Sequence, residues 1–297
     1  MCIELKGEPV DKDTVKVYAQ RFDRVFDYID RHLDEPLSVE RLSRVAHFSK
    51  FHFHRQFSQY AGIGVLAYVR LLRLRQASYR LVFRRQERIT DIALDVGFES
   101  PEAFSRAFRQ AFGQSPSQFR KSPLWQPWSE RFRLPPRERR EEMDVKIVEF
   151  AETQVAVLAH RGAPQRLNDS ALRFIEWRKQ SGLSPVQTSG TFGVAYDDPE
   201  STEPEQFRFD ICGEVSGQVP ENPQGVVNGV IPGGRCALTR HLGSHDRIGD
   251  SIYPLYREWL PESGEELRDF PLIFSYLNLV PNVAEHELVT DIYLPLK

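Results

Sequence analysis

Cysteine is scarce in this 297-residue chain: there are three, Cys2, Cys212 and Cys236. An odd and widely spaced set builds no disulfide framework and gives no zinc-ligand pair, so both scaffolds are excluded. No run approaches the roughly 18 apolar residues that a membrane helix needs. The opening Met1-Cys2-Ile3-Glu4-Leu5-Lys6 lacks the apolar core of a secretory signal. The expectation is a cytoplasmic protein that does not enter the membrane. There is also no nucleophile–base pair, no cluster of metal-binding side chains and no phosphate-cradling glycine loop. That argues against an enzyme, a metal site and a bound cofactor.

Charge is present in quantity and unevenly placed. Residues 1–140 hold 26 Lys+Arg against 17 Asp+Glu, a net +9, and the remainder holds 13 against 25, a net −12. A basic half joined to an acidic half suggests one module for a polyanion and another for a different partner. The length fits two ordinary domains.

Two internal repeats organise the halves. At an offset of 51, Val45, Ser49, Phe53, Arg55, Phe57, Gly62 and Tyr68 match Val96, Ser100, Phe104, Arg106, Phe108, Gly113 and Phe119, with Ala46 against Gly97. Each copy reads as a short helix, a turn and a second helix. Leu37–Ala46 has helical spacing, and Thr90 is a candidate cap for the corresponding helix at Asp91–Val96. Ser49 and Ser100 cap the second helices, whose Phe pairs lie one turn apart on a buried face. Between the copies, Val65–Arg85 reads as one helix of about 19 residues, roughly 28 Å long. Successive major grooves on one face of B-DNA lie about 34 Å apart, so such a rod suits two reading helices in adjacent grooves.

On that reading, phosphate neutralisation supplies most of the affinity and base-edge contacts supply the choice of sequence. The first reading helix offers Ser49, Lys50, Phe51, His54 and Arg55, with Arg55 suited to a bidentate contact with guanine and Phe51 to a thymine methyl. The second offers Ser100, Glu102, Ser105 and Arg106. Glu102 would repel the backbone, so the first helix is expected to dominate specificity.

At an offset of 81, His160, Gly162, Arg166, Asp169 and Ser170 match His241, Gly243, Arg247, Asp250 and Ser251, and Asp210-Ile211 match Asp291-Ile292. Each copy reads strand, helix, strand, strand. The expected strands are Val155–His160, Thr191–Tyr196 and Phe207–Val215, then Ala237–Leu242, Leu272–Leu277 and Glu287–Leu294. The expected helices are Asp169–Gln180 and Asp250–Leu260. Two such units pair into a pseudo-symmetric domain whose cleft is a natural ligand site. Strand alternation sets Glu287 on an otherwise apolar face, where a carboxylate favours a cationic guest. Trp177, Phe192, Tyr196, Tyr253, Tyr256, Tyr276 and Trp259 are candidate walls for a flat apolar cation.

The fold class expected is therefore an all-α double helix-turn-helix domain at 1–122, a linker at 123–143 and an α+β domain of two β-α-β-β units at 144–297. The linker is rich in Pro and Arg, with Trp125 and Trp128 as partial anchors. Its Arg run suits phosphate contact or plain solvation equally well.

The stretch Gly97-Phe98 … Phe104-Ser105-Arg106-Ala107-Phe108-Arg109 … Phe112-Gly113-Gln114-Ser115-Pro116-Ser117-Gln118-Phe119-Arg120 resembles the signature of the AraC/XylS family. Ser49–Phe57 is similar to that family's first recognition helix, with Phe51 and His54 where members usually carry Trp and Gln. Residues 144–297 resemble the GyrI-like small-molecule-binding domain through His241-Leu-Gly and Glu285–Leu296. In that family an acidic residue at the position of Glu287 often faces the cleft. Most AraC relatives place the ligand domain first, whereas here it follows. The resemblance implies a transcription regulator, an activator, acting on double-stranded DNA and RNA polymerase under a small effector, which Glu287 and the aromatic residues would make cationic and aromatic. The alternatives are a small-molecule hydrolase and a sequestering protein.

Overall fold

The computed structural model describes residues 12–125, 143–280 and 283–297. It divides into two compact units, Met1–Glu141 and Glu142–Lys297. Most of the 123–143 stretch read as a linker, including Trp128 and the Arg run, lies outside the described residues, as does Cys2.

The first unit is helical: α1 (Lys12–Arg31), α2 (Val39–Val45), α3 (Lys50–Ala61), α4 (Val65–Phe83), α5 (Ile89–Asp95), α6 (Pro101–Phe112) and α7 (Pro116–Lys121). Serines start most of them. Ser38, Ser49, Ser100 and Ser115 each accept a backbone N–H three residues on, satisfying a donor that the first helical turn leaves unpaired. Thr90 is not a cap: α5 begins at Ile89 behind Arg88, which makes no side-chain cap bond. Gly62 and Gly113 end α3 and α6 in the left-handed conformation that glycine adopts without strain.

Two aromatic clusters form the core on either side of α4. Phe53 and Phe57 of α3 pack with Phe22, Phe26 and Tyr68. Phe104 and Phe108 of α6 pack with Phe112, Phe119 and the buried Trp125. Arg73, midway along α4, gives its guanidinium to three carbonyls: Leu33 at 2.9 Å, Glu35 at 2.7 Å and Gly97 at 3.0 Å. One side chain thereby ties the approach to the first helix pair to the turn of the second.

The helical repeat differs from the constant offset of 51. The reading helices α3 and α6 are 51 apart, but α2 and α5 are 50 apart. Phe48 N–H reaches Ser43 O and Phe98 N–H reaches Ala93 O, both at 3.0 Å, so these turns correspond at 50. Gly97 (φ 79°) therefore matches His47 (φ 53°) and not Ala46. The second turn is one residue longer, at Glu99.

The second unit is an eight-stranded antiparallel sheet with helices on one face. Its strands are β1 (Lys146–Phe150), β2 (Thr153–Arg161), β3 (Thr191–Ala195), β4 (Arg208–Glu214), β5 (Val227–Ile231), β6 (Gly234–Leu242), β7 (Leu272–Tyr276) and β8 (Val289–Pro295). Helix α8 (Leu167–Ser181) follows β2. Its counterpart α9 follows β6 and runs through Gly249–Pro254, a π-helical turn Leu255–Trp259 and Leu260–Ser263. Asp169 and Asp250 sit inside the first turns of these helices, near the positive dipole end, and cap neither.

The sheet order is β1-β6-β8-β7-β3-β4-β2-β5, a palindrome of the two copies. Each copy carries a leading strand that alternation did not reveal, and the two leading strands are exchanged. β1 pairs with β6 of the second copy, and β5 pairs with β2 of the first. The unit is thus β-β-α-β-β with swapped edges.

Candidate nucleic-acid interface and ligand-binding unit

On α3, burying Phe53 and Phe57 turns Lys50, Phe51, His54 and Arg55 outward. Phe51 is 85% exposed. On α6 the same phase buries Phe104 and Phe108, exposing Glu102, Arg106 and Arg109, with Ser105 half-buried. Ser49 and Ser100 are taken up by the caps, at 3.4 Å to His52 N and 3.2 Å to Ala103 N. Among the described residues neither Arg55 nor Arg106 forms a hydrogen bond or an ion pair. Other arginines of this unit do: Arg80 bonds Glu87 and Asp95, and Arg41 bonds Glu35. The contrast leaves two guanidinium groups presented to solvent from equivalent positions on two capped helices. Arg109, one turn from Ser105 on α6, is an exposed cation that the sequence reading passed over.

In the second unit, several repeated residues prove to be architecture. His160 Nδ1 lies 2.9 Å from Ser170 Oγ, and His241 Nδ1 lies 2.9 Å from Ser251 Oγ. Each pair ties a strand end to the helix that follows. Burial pushes the His160 imidazole below its ordinary pKa, which keeps the ring neutral at pH 7. Asp210 and Asp291 are both held by arginine: Arg161 at 2.8 Å, and Arg240 through two bonds of 2.6 and 2.9 Å.

The seven candidate wall residues do not share one cleft. Cross-strand partners lie on one face of a sheet and neighbours along a strand on opposite faces. Phe192 pairs with Ser275, which puts Tyr276 on the other side. Phe192 is buried against Phe150, away from the helices. Tyr196 lies on that same face, its hydroxyl 2.8 Å from Asp210 and its ring near Arg161 and Arg208. Burial and the Asp210 carboxylate push its phenol up to about 12. Trp177 is core, stacked on Phe174 beneath α8. Tyr276 is on the helical face, as is α9, which carries Trp259, Tyr256 and Tyr253; Tyr253 reaches across to Asp198 at 3.1 Å.

Glu287 is also displaced. β8 starts at Val289, and Glu287 belongs to the turn Glu285–Glu287 before it. The side chain is exposed and accepts the Ala284 N–H at 2.9 Å. The desolvation that suggested a cationic guest is absent there, because strand alternation does not extend into a turn.

What the helical face does offer is an apolar cluster that is partly exposed. Phe209, Phe274, Leu255 and Ile292 form a buried cluster, and Leu167, Ala195, Ile248, Ile252 and Tyr276 pack on it while staying partly exposed. Gly193 lies beneath this cluster without a side chain because the space above it is filled: a Cβ there would stand 2.7 Å from Tyr276 Oη and closer still to the Phe209 ring. His245 stands at the edge, its Nε2 3.1 Å from Thr290 Oγ1 and its ring edge-on to Tyr276.

Comparison with known proteins follows this division. Residues 143–297 match the model of the GyrI-like small molecule binding domain, and residues 42–122 match a helix-turn-helix domain. The chain is 52% identical over 154 residues to the probable transcriptional regulator YgiV of Escherichia coli K12, covering 52% of this chain and 96% of that protein. It is 41% identical over 103 residues to the uncharacterized HTH-type transcriptional regulator YbfP of Bacillus subtilis, covering 35% of each. It is 38% identical over 98 residues to the right origin-binding protein of E. coli K12, covering 33% of this chain and 34% of that one.

Proposed function

The chain belongs to the GyrI-like small-molecule-binding family, with an AraC-type helix-turn-helix region ahead of that domain, and from this premise we propose that it activates transcription in the cytoplasm when a small effector binds the second unit. The observation that carries the DNA half is the pair of unengaged guanidinium groups at Arg55 and Arg106, equivalent residues of two serine-capped helices. The α4 rod between them has 19 residues, about 28 Å, close to the spacing of adjacent major grooves.

The two readers carry different work. Arg55 reads a guanine, Phe51 packs on a thymine methyl, and Lys50 and His54 flank them. In α6, Glu102 replaces Phe51 and Pro101 replaces Lys50, so Arg106 mainly anchors phosphate. Effector control requires that the occupied and empty states differ in affinity for the operator or in contact with RNA polymerase. A largely apolar, aromatic effector suits the partly exposed apolar side chains of Leu167, Ile248, Ile252 and Tyr276.

The test is a competition titration against operator and scrambled duplex. Arg55→Ala is expected to cost about 1–3 kcal/mol at the operator and to relax discrimination at one base pair. Arg106→Ala is expected to weaken both duplexes alike. A greater loss of discrimination from Arg106→Ala than from Arg55→Ala would reverse the assignment of roles.

A further inference from the structure

Among the described residues the two helix pairs of the first unit pack on α4, and not extensively on each other. Ridge-into-groove packing leaves helix crossing angles a scatter of about 15–20°. By itself, α4 therefore fixes the distance between α3 and α6 more firmly than their angle. Angle matters to two readers on one duplex, because one base pair of misplacement shifts a reader by about 3.4 Å and turns it by about 35° around the axis.

Arg73 supplies what that packing lacks. It is the ninth of the 19 residues of α4. All of its hydrogen bonds among the described residues go to main-chain carbonyls: Nε to Leu33 and Nη2 to Glu35 on one side, Nη1 to Gly97 on the other. Both anchor points lead into a helix start. Glu35 stands three residues ahead of Ser38, the cap of α2, and Gly97 three ahead of Ser100, the cap of α6. A main-chain carbonyl cannot swing aside as a side chain can, and the planar guanidinium between them is itself stiff. At Gly97 the contact is with bare backbone: φ is 79°, and a Cβ there would stand 2.6 Å from Arg73 Cζ.

Stability is a poor reason for this arrangement. Burial pulls the Arg73 pKa down, with the Asp34 charge opposing, whereas Arg80 on the same helix pairs with the carboxylates of Glu87 and Asp95. A half-buried cation that meets only neutral acceptors gains little for its desolvation. What the arrangement does secure is geometry, since one rigid group joins the approach to the first helix pair to the turn of the second.

We propose that Arg73 is a positioning residue for DNA reading: it locks the angle between α3 and α6 and so sets the number of base pairs accepted between the two half-sites. This rests on the two-reader assignment above and adds the element that fixes their spacing. Without the strut the chain still binds DNA through Arg55 and Arg106, but it tolerates half-sites one base pair too close or too far.

The test uses the full chain and the tightest duplex that wild type selects from a random-sequence pool. After footprinting, one base pair is added or removed between the two protected patches. Wild type should prefer the parent duplex by about tenfold over either neighbour, the scale of one mismatched base pair. Arg73→Met should bind the parent more weakly and prefer it by no more than about threefold, a halving of the discrimination free energy. Loss of folded protein divides every affinity by one factor, so a merely structural role leaves that ratio unmoved. Arg73→Lys offers one nitrogen to three carbonyls and should relax the preference too; it decides the matter if Arg73→Met does not fold. Gly97→Ala displaces the guanidinium from the other end and should act in the same direction. A tenfold preference retained by both Arg73 variants would overturn the proposal and leave the two readers standing. A single protected patch, or a wild type indifferent to spacing, would overturn both.

Discussion

The two copies within each unit make an internal control, and they differ in an instructive way. In the sheet unit, what repeats is scaffold: His160–Ser170 and His241–Ser251 have the same 2.9 Å geometry, and Asp210 and Asp291 both carry arginine partners. What does not repeat lies on the helical face: Tyr276 for Ala195, His245 for Pro164, and a π-helical turn in α9 where α8 is regular. Single π turns inside helices are frequent at functional sites. In the helical unit the caps, the buried Phe pairs and the arginines repeat, whereas Lys50, Phe51 and His54 face Pro101, Glu102 and Ser105. Duplicated positions that stayed alike hold the fold, and those that diverged mark where the copies do separate jobs.

The largest expected effects lie where the copies agree. Phe57→Ala and Phe108→Ala each remove a fully buried ring from equivalent clusters, and each should cost about 3–5 kcal/mol in urea unfolding. A difference of several kcal/mol between them would show that the two helix pairs are not equivalent scaffolds. Smaller effects are expected at the turns. Gly97→Ala must adopt φ 79° and push against the Arg73 guanidinium, so it should cost about 1–3 kcal/mol. His47→Gly, at the matching left-handed position, should stabilise by up to about 1 kcal/mol. If both substitutions changed the melting temperature in the same direction, the register that pairs His47 with Gly97 would be wrong.

The smallest effect is one of pH. The His160 pKa is depressed by burial, so the unfolded chain takes up its proton first as pH falls. Its contribution is fully present above about pH 6.5, the unfolded value, and declines below that. The stability of His160→Gln, followed by chemical denaturation from pH 7.5 to 5, should fall less steeply than that of wild type. An unchanged slope would show that His160 takes up its proton alike in the folded and the unfolded chain.

Much of this was legible in the chain itself. Alternating and helical periodicities located both helix pairs, the α4 rod and the 81-residue duplication, because each depends on local spacing. The exchange of β1 and β5 was not legible: the partner of an edge strand is chosen by the closure of the whole sheet. The split of the aromatic residues needed the register Phe192↔Ser275, which no single strand contains. Glu287 was misplaced because alternation was carried two residues too far, into a turn. Arg73 was invisible for a similar reason, since its three carbonyl partners lie 24 to 40 residues away.

Hydroxyl-radical footprinting of the full chain on its operator bears most directly on the claim of two unequal readers on one rod. The account predicts two protected patches on one face of the duplex, about one helical turn apart, with the Arg106→Ala footprint losing only the second. A single patch, or two patches on opposite faces, would contradict it.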